Sequence, residues 1–577
     1  MKKIIECVPN FSEGRNREVI DKIVAAIAAS KVNAGGKTEG VKVLDVDPGE
    51  ATNRTVVTFV GSPEAVVEAA FQGVKKAAEL IDMRHHKGAH PRSGATDVLP
   101  LIPVSGITLE ECANLARALA KRIYEEQQIP CYCYEAAAFK PERKNLAVCR
   151  SGEYEALPEK IADPERKPDF GPEAYTETVA KSGAINVGAR NFLVAVNYNL
   201  NTTSTRRAMA VAFDVREKGR KMREGGSLTG KVLRDAEGKE MWQPGTLKGC
   251  KAIGWYIDEY GIAQVSMNIT DIEATPLHKA YEEVCRAAAA RGLKVTGTEI
   301  VGLVPKRVLI DAGRFYLEKQ QRSLGIAEDE ILKIAVKSMS LDDLKPFNPR
   351  EKVIEYLMED PAELAVKERL IRMTCKGFAI ETASESPAPG GGSISAYMGA
   401  LGAALSAMVA NLSSHKRGWD ARWKEFSDWA EKGNALMNEL LALVDEDTAA
   451  FNRIMDVFSM PKGTDEEKAA RAKAMEEATL YATQVPLKTL KTSFKVFEVA
   501  SAMASEGNPN SVSDAGVAAI AARGAVAGAR LNVHINAEGL KDRMKAEELM
   551  NEADRVMAQS VAEEKRILEI VENKIKA

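Results

Sequence analysis

The feature that most constrains the fold is a change in residue pattern near position 357. Up to Tyr356, strand-like runs rich in β-branched residues alternate with helical patterns, and beyond it such runs nearly vanish. From there to Ala577, the residues Ala, Leu, Met, Lys and Glu recur at helical spacing. With 577 residues, the chain is also too long for one hydrophobic core. The sequence therefore predicts an N-terminal half that mixes strands and helices, followed by an all-helical domain.

Within the N-terminal half, one order of elements is predicted twice: strand, helix, strand, strand, helix, strand. The first copy ends near Pro103 and is followed by an extra helix and strand, and the second copy begins near Phe192. This is the split βαβ order, in which helices cover one face of a sheet. We therefore predict an α+β half of two ferredoxin-like split βαβ subdomains with a cleft between them. The predicted boundaries are 1–187 and 188–357 for the two subdomains, 358–365 for a linker and 366–577 for the helical domain.

The composition is typical of a soluble globular protein, with 45% hydrophobic and 28% charged residues. A net charge of -3 argues against nucleic acid as the main partner. The N-terminal apolar run is broken at Glu6 and Pro9, and no run approaches the ~18 apolar residues of a membrane span. The eight cysteines form no Cys-x-x-Cys pair, so we expect reduced, mostly buried thiols in a cytoplasmic protein without a membrane span.

A histidine-rich loop between a helical and a strand pattern is the first candidate site. Three of the six histidines of the chain lie within six residues there. Pro91 disfavours helical geometry at His90, which should therefore lie on extended backbone. An imidazole titrates near neutral pH and can move a proton during attack on an sp2 carbon, while Lys87 and Arg92 could hold anionic substrate groups. A surface histidine without a role is the competing interpretation.

Two other chemistries were considered for N-terminal motifs. His86 and His90 are four residues apart, as in a metal-binding helix, but Gly88 and Pro91 oppose a helix and the acid of the His-Glu-x-x-His motif is absent. Cys7 could be a nucleophile, although its position fits a buried strand cysteine better. We therefore predict that the protein holds no metal.

The second candidate site lies on a helix predicted over residues 434–456. Its apolar residues form one stripe, and Asp447 fills a gap in that stripe. Asp445 should point to the opposite face, so the spacing predicts one buried acid and one solvated acid. A carboxylate on an apolar face loses hydration, so its pKa rises and it can give as well as accept a proton near neutral pH. A structural carboxylate that caps a neighbouring helix is the alternative.

A glycine-rich segment, Gly390–Ser393, precedes a helix with a narrow stripe of small residues. Backbone N–H groups at such a helix start can bind an anion, which makes Gly391, Gly392 and Ser393 candidate ligand contacts. A plain helix cap explains the segment nearly as well.

Over nearly its full length, the sequence resembles the formiminotransferase-cyclodeaminase family. The matching segments are Glu6-Cys7-Val8-Pro9-Asn10-Phe11-Ser12-Glu13-Gly14, Thr52-Asn53-Arg54-Thr55, His86-Lys87-Gly88 with His90-Pro91-Arg92, Gly254-Trp255-Tyr256, Ala388-Pro389-Gly390-Gly391-Gly392-Ser393, and Asn532-Val533 with Ile535-Asn536. The resemblance implies a bifunctional folate enzyme of histidine degradation. Such an enzyme transfers a formimino group from N-formimino-L-glutamate to tetrahydrofolate, then forms 5,10-methenyltetrahydrofolate and releases ammonia.

In terms of the family, His90 matches the histidine of the transferase and Asp447 matches the acid of the cyclodeaminase. The resemblance also implies tetrahydrofolate, polyglutamylated, as a co-substrate, and a homo-oligomer of dimers that could close into a ring. Further substrate contacts are expected at Asp47, Arg54, Lys87, Arg92, Gly171, Pro172, Gly183 and Arg190. Two alternatives stay open: a helical domain that is a methenyltetrahydrofolate cyclohydrolase, and a non-catalytic folate-binding protein.

Overall fold

The computed structural model describes residues 3–34, 37–49, 53–88, 91–226, 230–257, 260–359 and 361–576. The chain forms two compact units. Unit 1 contains Met1–Val308 and Ser340–Met358, and unit 2 contains Leu309–Met339 and Glu359–Ala577. The segment Leu309–Met339 therefore groups with the helical residues, although the sequence analysis placed it in the second subdomain. The subdomain boundaries themselves stay a prediction.

The first sheet of unit 1 is built from strands in the first 189 residues. The strands of this region are β1 (Ile4–Cys7), β2 (Asn10–Phe11), β3 (Lys31–Ala34), β4 (Lys37–Gly40), β5 (Lys42–Gly49), β6 (Arg54–Gly61), β7 (Thr96–Ser105), β8 (Cys131–Glu135) and β9 (Ile185–Ala189). β1 and β2 both pair with β6 and β7, and β5 pairs with the outer side of β6, all antiparallel. β9 and β8 extend the sheet in parallel beyond β7, and β3 and β4 form a separate hairpin. The strand order β5-β6-β1-β7 within this sheet is the predicted split βαβ order.

Three long helices pack on one face of this sheet. The helices of the region are α1 (Arg17–Ala28), α2 (Pro63–Leu80), α3 (Leu109–Gln127), α4 (Leu146–Cys149), α5 (Leu157–Ala162) and α6 (Glu177–Ser182). The Asn16 side chain caps α1, Pro63 begins α2, and Thr108 and Glu111 form a capping box for α3. Because side chains alternate along a strand, Ile5 and Cys7 enter the core under these helices. The intervening residues face away from them.

A second sheet repeats the same order. Its region contains β10 (Val194–Leu200), α7 (Thr205–Val215), β11 (Arg220–Lys221), β12 (Trp242–Gln243), β13 (Cys250–Ile257), β14 (Ile262–Ile269), α8 (Leu277–Ala289) and β15 (Val295–Val301). The sheet order is β13-β14-β10-β15, with antiparallel pairs throughout. β11 and β12 pair with each other in a separate two-stranded sheet. Two split βαβ sheets in the N-terminal half are therefore confirmed.

Helices account for the remaining elements. They are α9 (Lys306–Lys319), α10 (Glu328–Ser338), α11 (Pro349–Lys352), α12 (Ile354–Met358), α13 (Pro361–Lys367), α14 (Cys375–Thr382), α15 (Gly391–Ser414), α16 (Trp423–Phe458), α17 (Asp465–Glu506), α18 (Val512–Ala537) and α19 (Arg543–Lys576). Among the described residues after 358, every regular element is a helix. The predicted change from α+β to all-α is confirmed.

The segment Leu309–Met339 forms hydrogen bonds through its backbone with the helices of unit 2. Leu324 N donates to Ser427 Oγ at 3.0 Å, and the Asn411 side chain donates to Gly325 O at 2.8 Å. A Cβ on Gly325 would lie 2.3 Å from the backbone carbon of Ala430, so only glycine permits this approach. The loop between α9 and α10 therefore packs tightly against α15 and α16.

Within the described part of the chain, α15 is the only helix long and apolar enough to cross a membrane by length and composition. The expectation that no run approaches a membrane span is wrong by that measure. Of its apolar window, 61% is buried within the protein. The helix packs closely on α18, since a Cβ on Gly402 would already lie 3.0 Å from Ala518 O. Buried core helices pass the same test of length and composition.

Candidate functional site

Unit 1 contains a cleft of about 720 Å³ that both sheets line. Val8, Asn10 and Val56 line it from the face of the first sheet opposite α1, α2 and α3, and Lys251 lines it from β13. Its charged lining residues are the cations Arg54, Lys144, Arg150, Arg190 and Lys251 and the acids Glu135 and Asp271. An excess of cations in a concave site attracts anionic ligands. Two of the predicted contacts, Arg54 and Arg190, therefore lie in one basic cleft.

Arg150 is fixed in the cleft by a buried acid. Its Nη2 lies 2.5 Å from Oδ2 of Asp97, a side chain that is only 1% exposed. Asp97 also accepts a hydrogen bond from Ser93 N at 2.9 Å, so its own position is fixed. Burial lowers the pKa of the neighbouring Arg54 guanidinium, while the charge of Asp97 opposes that shift. Both guanidinium groups thus share one buried counter-charge.

His90 lies outside the described residues, but much of the flanking loop is described. His86 is buried, with Nε2 2.9 Å from Asn53 O and Nδ1 3.3 Å from Arg92 Nε. Because Arg92 can only donate, Nδ1 accepts and the proton of a neutral imidazole lies on Nε2. His86 therefore connects the loop to the start of β6.

Arg92 and Lys87 do not line the cleft. Arg92 Nη2 lies 2.7 Å from Glu155 and Nη1 lies 3.1 Å from Glu153, and these carboxylates raise the pKa of Arg92. The Lys87 side chain is exposed, and its backbone oxygen accepts a hydrogen bond from Asn53 Nδ2 at 3.0 Å. Arg92 is thus already paired with acids, and the described contact of Lys87 is made by its backbone.

Asp47 is another of the expected substrate contacts. It lies inside β5, with Val56 opposite it, so it shares the cleft face of the sheet at the outer edge. Its side chain is exposed and does not line the cleft.

The two N-terminal glycines among the expected substrate contacts, Gly171 and Gly183, have packing roles. Gly183 has a φ of 70°, and a Cβ there would lie 2.3 Å from Ser93 O. Backbone bonds from Ala95 to Ser182 and from Ala184 to Ser93, 2.8 and 2.9 Å long, hold this close approach. A Cβ on Gly171 would lie 2.4 Å from Pro168, and Pro172 is half-buried beside it. None of these three residues lines the cleft. Gly183 instead fixes the strand segment that follows the histidine loop.

Unit 2 contains a smaller pocket of about 130 Å³ at the start of α15. Its lining residues are Pro387, Ala388, Gly390, Gly391, Gly392, Asp447, Thr448, Ala450, Phe451, Ile454, Ala482, Asn532 and Asn536. The Ser393 hydroxyl donates to Asp447 Oδ2 at 3.0 Å, and a Cβ on Gly392 would lie 2.1 Å from Asp447 Oδ1. Burial raises the pKa of Asp447, and the hydrogen bonds from Ser393 oppose that rise. The glycine-rich segment and the acid picked out by its spacing therefore form one pocket.

The prediction that Asp445 is solvated is wrong. Asp445 is 9% exposed and accepts hydrogen bonds from the backbone N–H groups of Leu370 and Ile371, at 2.8 and 3.2 Å. The turn before α14 packs on this side of α16 and covers the face that the helix periodicity alone assigned to solvent. Asp445 is thus a structural carboxylate, the alternative considered for its neighbour Asp447.

The described residues form no metal centre, and Cys7 is not a reactive thiol. No group of three or more His, Cys, Asp or Glu side chains among them is placed to hold a metal ion. All eight cysteines are free, and six of them are buried, as expected. Burial raises the pKa of the Cys7 thiol well above its usual range, so Cys7 is unsuited to be a nucleophile near neutral pH.

Comparison with known proteins matches both the cleft region and the pocket region. The family model described as "Formiminotransferase domain, N-terminal subdomain" matches residues 4–190, "Formiminotransferase domain" matches 195–359, and "Formiminotransferase-cyclodeaminase" matches 374–555. The formimidoyltransferase-cyclodeaminase of Mus musculus is 42% identical over 542 residues, which is 94% of each chain. The chain belongs to the formimidoyltransferase-cyclodeaminase family.

Shorter relatives correspond to parts of this family's chain. The glutamate formimidoyltransferase of Thermoplasma acidophilum is 41% identical over 317 residues, 55% of this chain and 92% of that one. The methenyltetrahydrofolate cyclohydrolase of Methylorubrum extorquens is 40% identical over 202 residues, 35% of this chain and 97% of that one. One part of this formimidoyltransferase-cyclodeaminase family member is thus similar to a glutamate formimidoyltransferase, and another part is similar to a methenyltetrahydrofolate cyclohydrolase.

Several lining residues of this family member were not selected from the sequence. In the cleft these are Lys144, Arg150 and Lys251, and in the pocket Asn532 and Asn536. The cleft cations come from separate segments without a shared motif. The two asparagines are four residues apart on α18, which places both on one helix face. That spacing, and the family segment in which both asparagines lie, were the usable signals.

Proposed function

We propose that the chain is a bifunctional folate enzyme of histidine degradation. It transfers the formimino group of N-formimino-L-glutamate to the 5-nitrogen of tetrahydrofolate. It then cyclises 5-formiminotetrahydrofolate to 5,10-methenyltetrahydrofolate and releases ammonia. The observation that carries this proposal is the 42% identity to the mouse formimidoyltransferase-cyclodeaminase over 94% of both chains.

The transfer takes place in the basic cleft of unit 1. The folate 5-nitrogen attacks the formimino carbon and gives a tetrahedral adduct, and the bond from that carbon to the glutamate nitrogen then breaks. His90 takes the proton of the attacking nitrogen and returns one to the leaving nitrogen. Arg54 and Arg190, which line the cleft, bind substrate carboxylates and so orient the reacting atoms.

The cyclisation takes place in the pocket of unit 2. The folate 10-nitrogen attacks the same carbon, and the bond to the formimino nitrogen breaks as ammonia leaves. Asp447 accepts the proton of the 10-nitrogen and donates one to the departing ammonia. Burial raises its pKa, which allows one carboxyl group to serve both transfers. The buried Ser393 side chain holds Asp447 by a hydrogen bond and does not line the pocket. Gly391 and Gly392 line the pocket and contact the substrate there.

The charge of the cleft suits a polyglutamylated folate. Five cations and two acids line it, so each added carboxylate of a glutamate tail enters a positive potential. Both reactions proceed by proton transfer and by charge attraction between side chains and substrate. They need no metal ion. Free thiols and soluble anionic substrates fit a location in the cytoplasm.

A second copy of the chain covers an apolar face of unit 2. Exposed apolar side chains follow α15 and α18, which pack side by side; they are Leu401, Met408, Leu412, Val517, Ile520 and Leu531. Extended apolar patches of this kind favour self-association. We expect a homo-oligomer of dimers, which can close into a ring, and light scattering on the purified chain measures it.

The function is tested by a steady-state assay of the full chain with N-formimino-L-glutamate and tetrahydrofolate. We expect 5,10-methenyltetrahydrofolate and one ammonia for each formimino group consumed. Folate binding in a calorimeter without turnover would instead identify a non-catalytic folate-binding protein.

A helical domain with cyclohydrolase activity is the second candidate, favoured by the 40% identity to the Methylorubrum extorquens cyclohydrolase. The two functions differ in substrate, since one consumes 5-formiminotetrahydrofolate and the other hydrolyses 5,10-methenyltetrahydrofolate. We expect the full chain to process the first faster than the second. The opposite order would make the pocket of unit 2 mainly a hydrolytic site.

A further inference from the structure

A buried acid lies in the middle of the first strand. Glu6 is 4% exposed, and its ladder partners on the two neighbouring strands are Val60 and Ile102. Its neighbours Ile5 and Cys7 enter the core under the helices, so the Glu6 side chain is directed to the other face. Val8, two residues along the same face, lines the basic cleft. Glu6 therefore lies at one end of the cleft floor.

Among the described residues, Arg190 is the charged group that opposes the rise in the pKa of Glu6. Burial raises the pKa of Glu6 to about 7, and the positive charge of Arg190 opposes that rise. Arg190 itself lines the cleft, follows β9 directly and donates its backbone N–H to Leu101 O at 3.2 Å. A buried carboxyl group is costly to ionise, and here the compensating positive charge belongs to an arginine that lines the cleft.

Among the groups around Glu6 and Arg190, Glu6 is the one whose ionisation depends on the charge of Arg190 alone. Val60 and Ile102 are uncharged, and burial raises the pKa of Cys7 and Tyr134 far above neutrality. Glu135 also faces Arg190; burial raises its pKa, which both Arg190 and Lys251 oppose. Glu135 thus has a second cation beside it, whereas Glu6 has Arg190 alone.

We propose that Glu6 is a positioning residue that balances the charge of Arg190 in the empty cleft and takes up a proton when a substrate carboxylate binds there. The inference rests on the proposed function, because it requires anionic substrates in this cleft. An anion beside Arg190 cancels the attraction that keeps Glu6 ionised and adds repulsion, so the neutral acid is favoured. Binding and protonation are then linked, and each promotes the other.

The linkage has a direction. Below pH 7 Glu6 is already neutral, and an anion binds without proton uptake. Above that pH the ionised acid must first be neutralised, so the KM of N-formimino-L-glutamate rises, by at most about tenfold for each pH unit. kcat should not follow, since Glu6 does not contact the reacting atoms.

The test compares the full-length chain with Glu6→Gln in the transferase assay between pH 6 and pH 9. Glutamine keeps the size of the side chain and cannot ionise. We expect the KM of the variant to be nearly independent of pH and several-fold below that of the unchanged chain at pH 8.5, with kcat within about twofold. Cys7→Ala is the matched control on the other face of β1 and should keep the original KM profile. Identical profiles for Glu6→Gln and the unchanged chain would overturn the inference.

A measurement on the unchanged chain covers the case in which Glu6→Gln fails to fold. N-formimino-L-glutamate without folate is titrated into the protein at pH 8 in two buffers of different ionisation enthalpy. The difference in heat should correspond to uptake of a substantial fraction of one proton. Absence of proton uptake, with transferase activity intact, contradicts the role of Glu6 alone. Absence of any transfer contradicts the proposed function.

Discussion

At the scale of single residues, two acids on α16 have opposite tasks although only one residue separates them. Asp445 accepts hydrogen bonds from two backbone N–H groups, whereas Asp447 accepts from Ser393 and lines a pocket. Both carboxylate oxygens of Asp445 accept hydrogen bonds from the turn before α14. Asp447 keeps an oxygen available at the pocket, at the expense of stability.

Asp447→Asn should stabilise unit 2 near neutral pH. The folded state raises the pKa of Asp447, so ionisation as the pH rises from the acid range to neutrality lowers the stability of the unchanged chain. Asparagine cannot ionise, and it still accepts the hydrogen bond of Ser393. Thermal melts at pH 4 and pH 7.5 should show a higher Tm for the variant at pH 7.5 only. A lower Tm at pH 7.5 would contradict the raised pKa.

Asp445→Ala should destabilise unit 2 strongly. The substitution leaves the N–H groups of Leu370 and Ile371 without their acceptor, at a cost of about 3 kcal/mol in the free energy of unfolding. Calorimetry of the full chain measures the transition of unit 2. Glu446→Ala, at the half-buried neighbouring position, is the control and should change it little. Equal effects of the two substitutions would refute the structural role.

At the scale of elements, the sequence pattern was sufficient for the order of the strands and helices that form the two split βαβ sheets. Alternating and helical periodicity identified both split βαβ repeats, but the β3–β4 hairpin was missed because Lys31–Gly40 has almost no apolar residues to set a period. Of the five cations that line the cleft, only Arg54 and Arg190 were predicted from the sequence. Arg92 was chosen for its closeness to His90 in sequence, yet Glu153 and Glu155 pair with it from about sixty positions away. Such long-range pairing leaves no local signal.

The segment around Gly183 packs against the residues that follow the histidine loop. This close contact should be essential for formimino transfer. Gly183→Ala combines a strained φ with a Cβ clash against Ser93 O, and we expect a loss of at least about 2 kcal/mol in stability together with reduced transferase activity. Gly238→Ala is the matched control, because Gly238 has a φ of 80° and open space around it. Cyclisation of supplied 5-formiminotetrahydrofolate should be unaffected by both substitutions. A transfer rate for Gly183→Ala equal to that of the control would contradict this role.

At the scale of the whole molecule, the helical unit begins earlier in the chain than its residue pattern suggests. Helices α9 and α10 are followed by a return to unit 1, yet the loop that joins them is hydrogen-bonded to α15 and α16. Length and composition could not show this, because an amphipathic helix does not specify which of two cores it covers.

A fragment that starts at Lys306 should therefore be more stable than one that starts at Met358. The shorter fragment lacks the partners of Ser427 and Asn411 and exposes the surface around Ala430. We expect a Tm lower by several degrees for it, with helical circular dichroism retained in both. Equal Tm values would show that α9 and α10 add nothing to unit 2.

The central claim, that two separate sites catalyse the two reactions, is tested most directly by two single substitutions. His90→Ala and Asp447→Asn are each assayed for formimino transfer to tetrahydrofolate and for cyclisation of supplied 5-formiminotetrahydrofolate. We predict that His90→Ala loses transfer by at least about a hundredfold and keeps cyclisation, and that Asp447→Asn does the reverse. If both variants keep both activities, or if either substitution abolishes both in a folded protein, the assignment of one site to each unit is wrong.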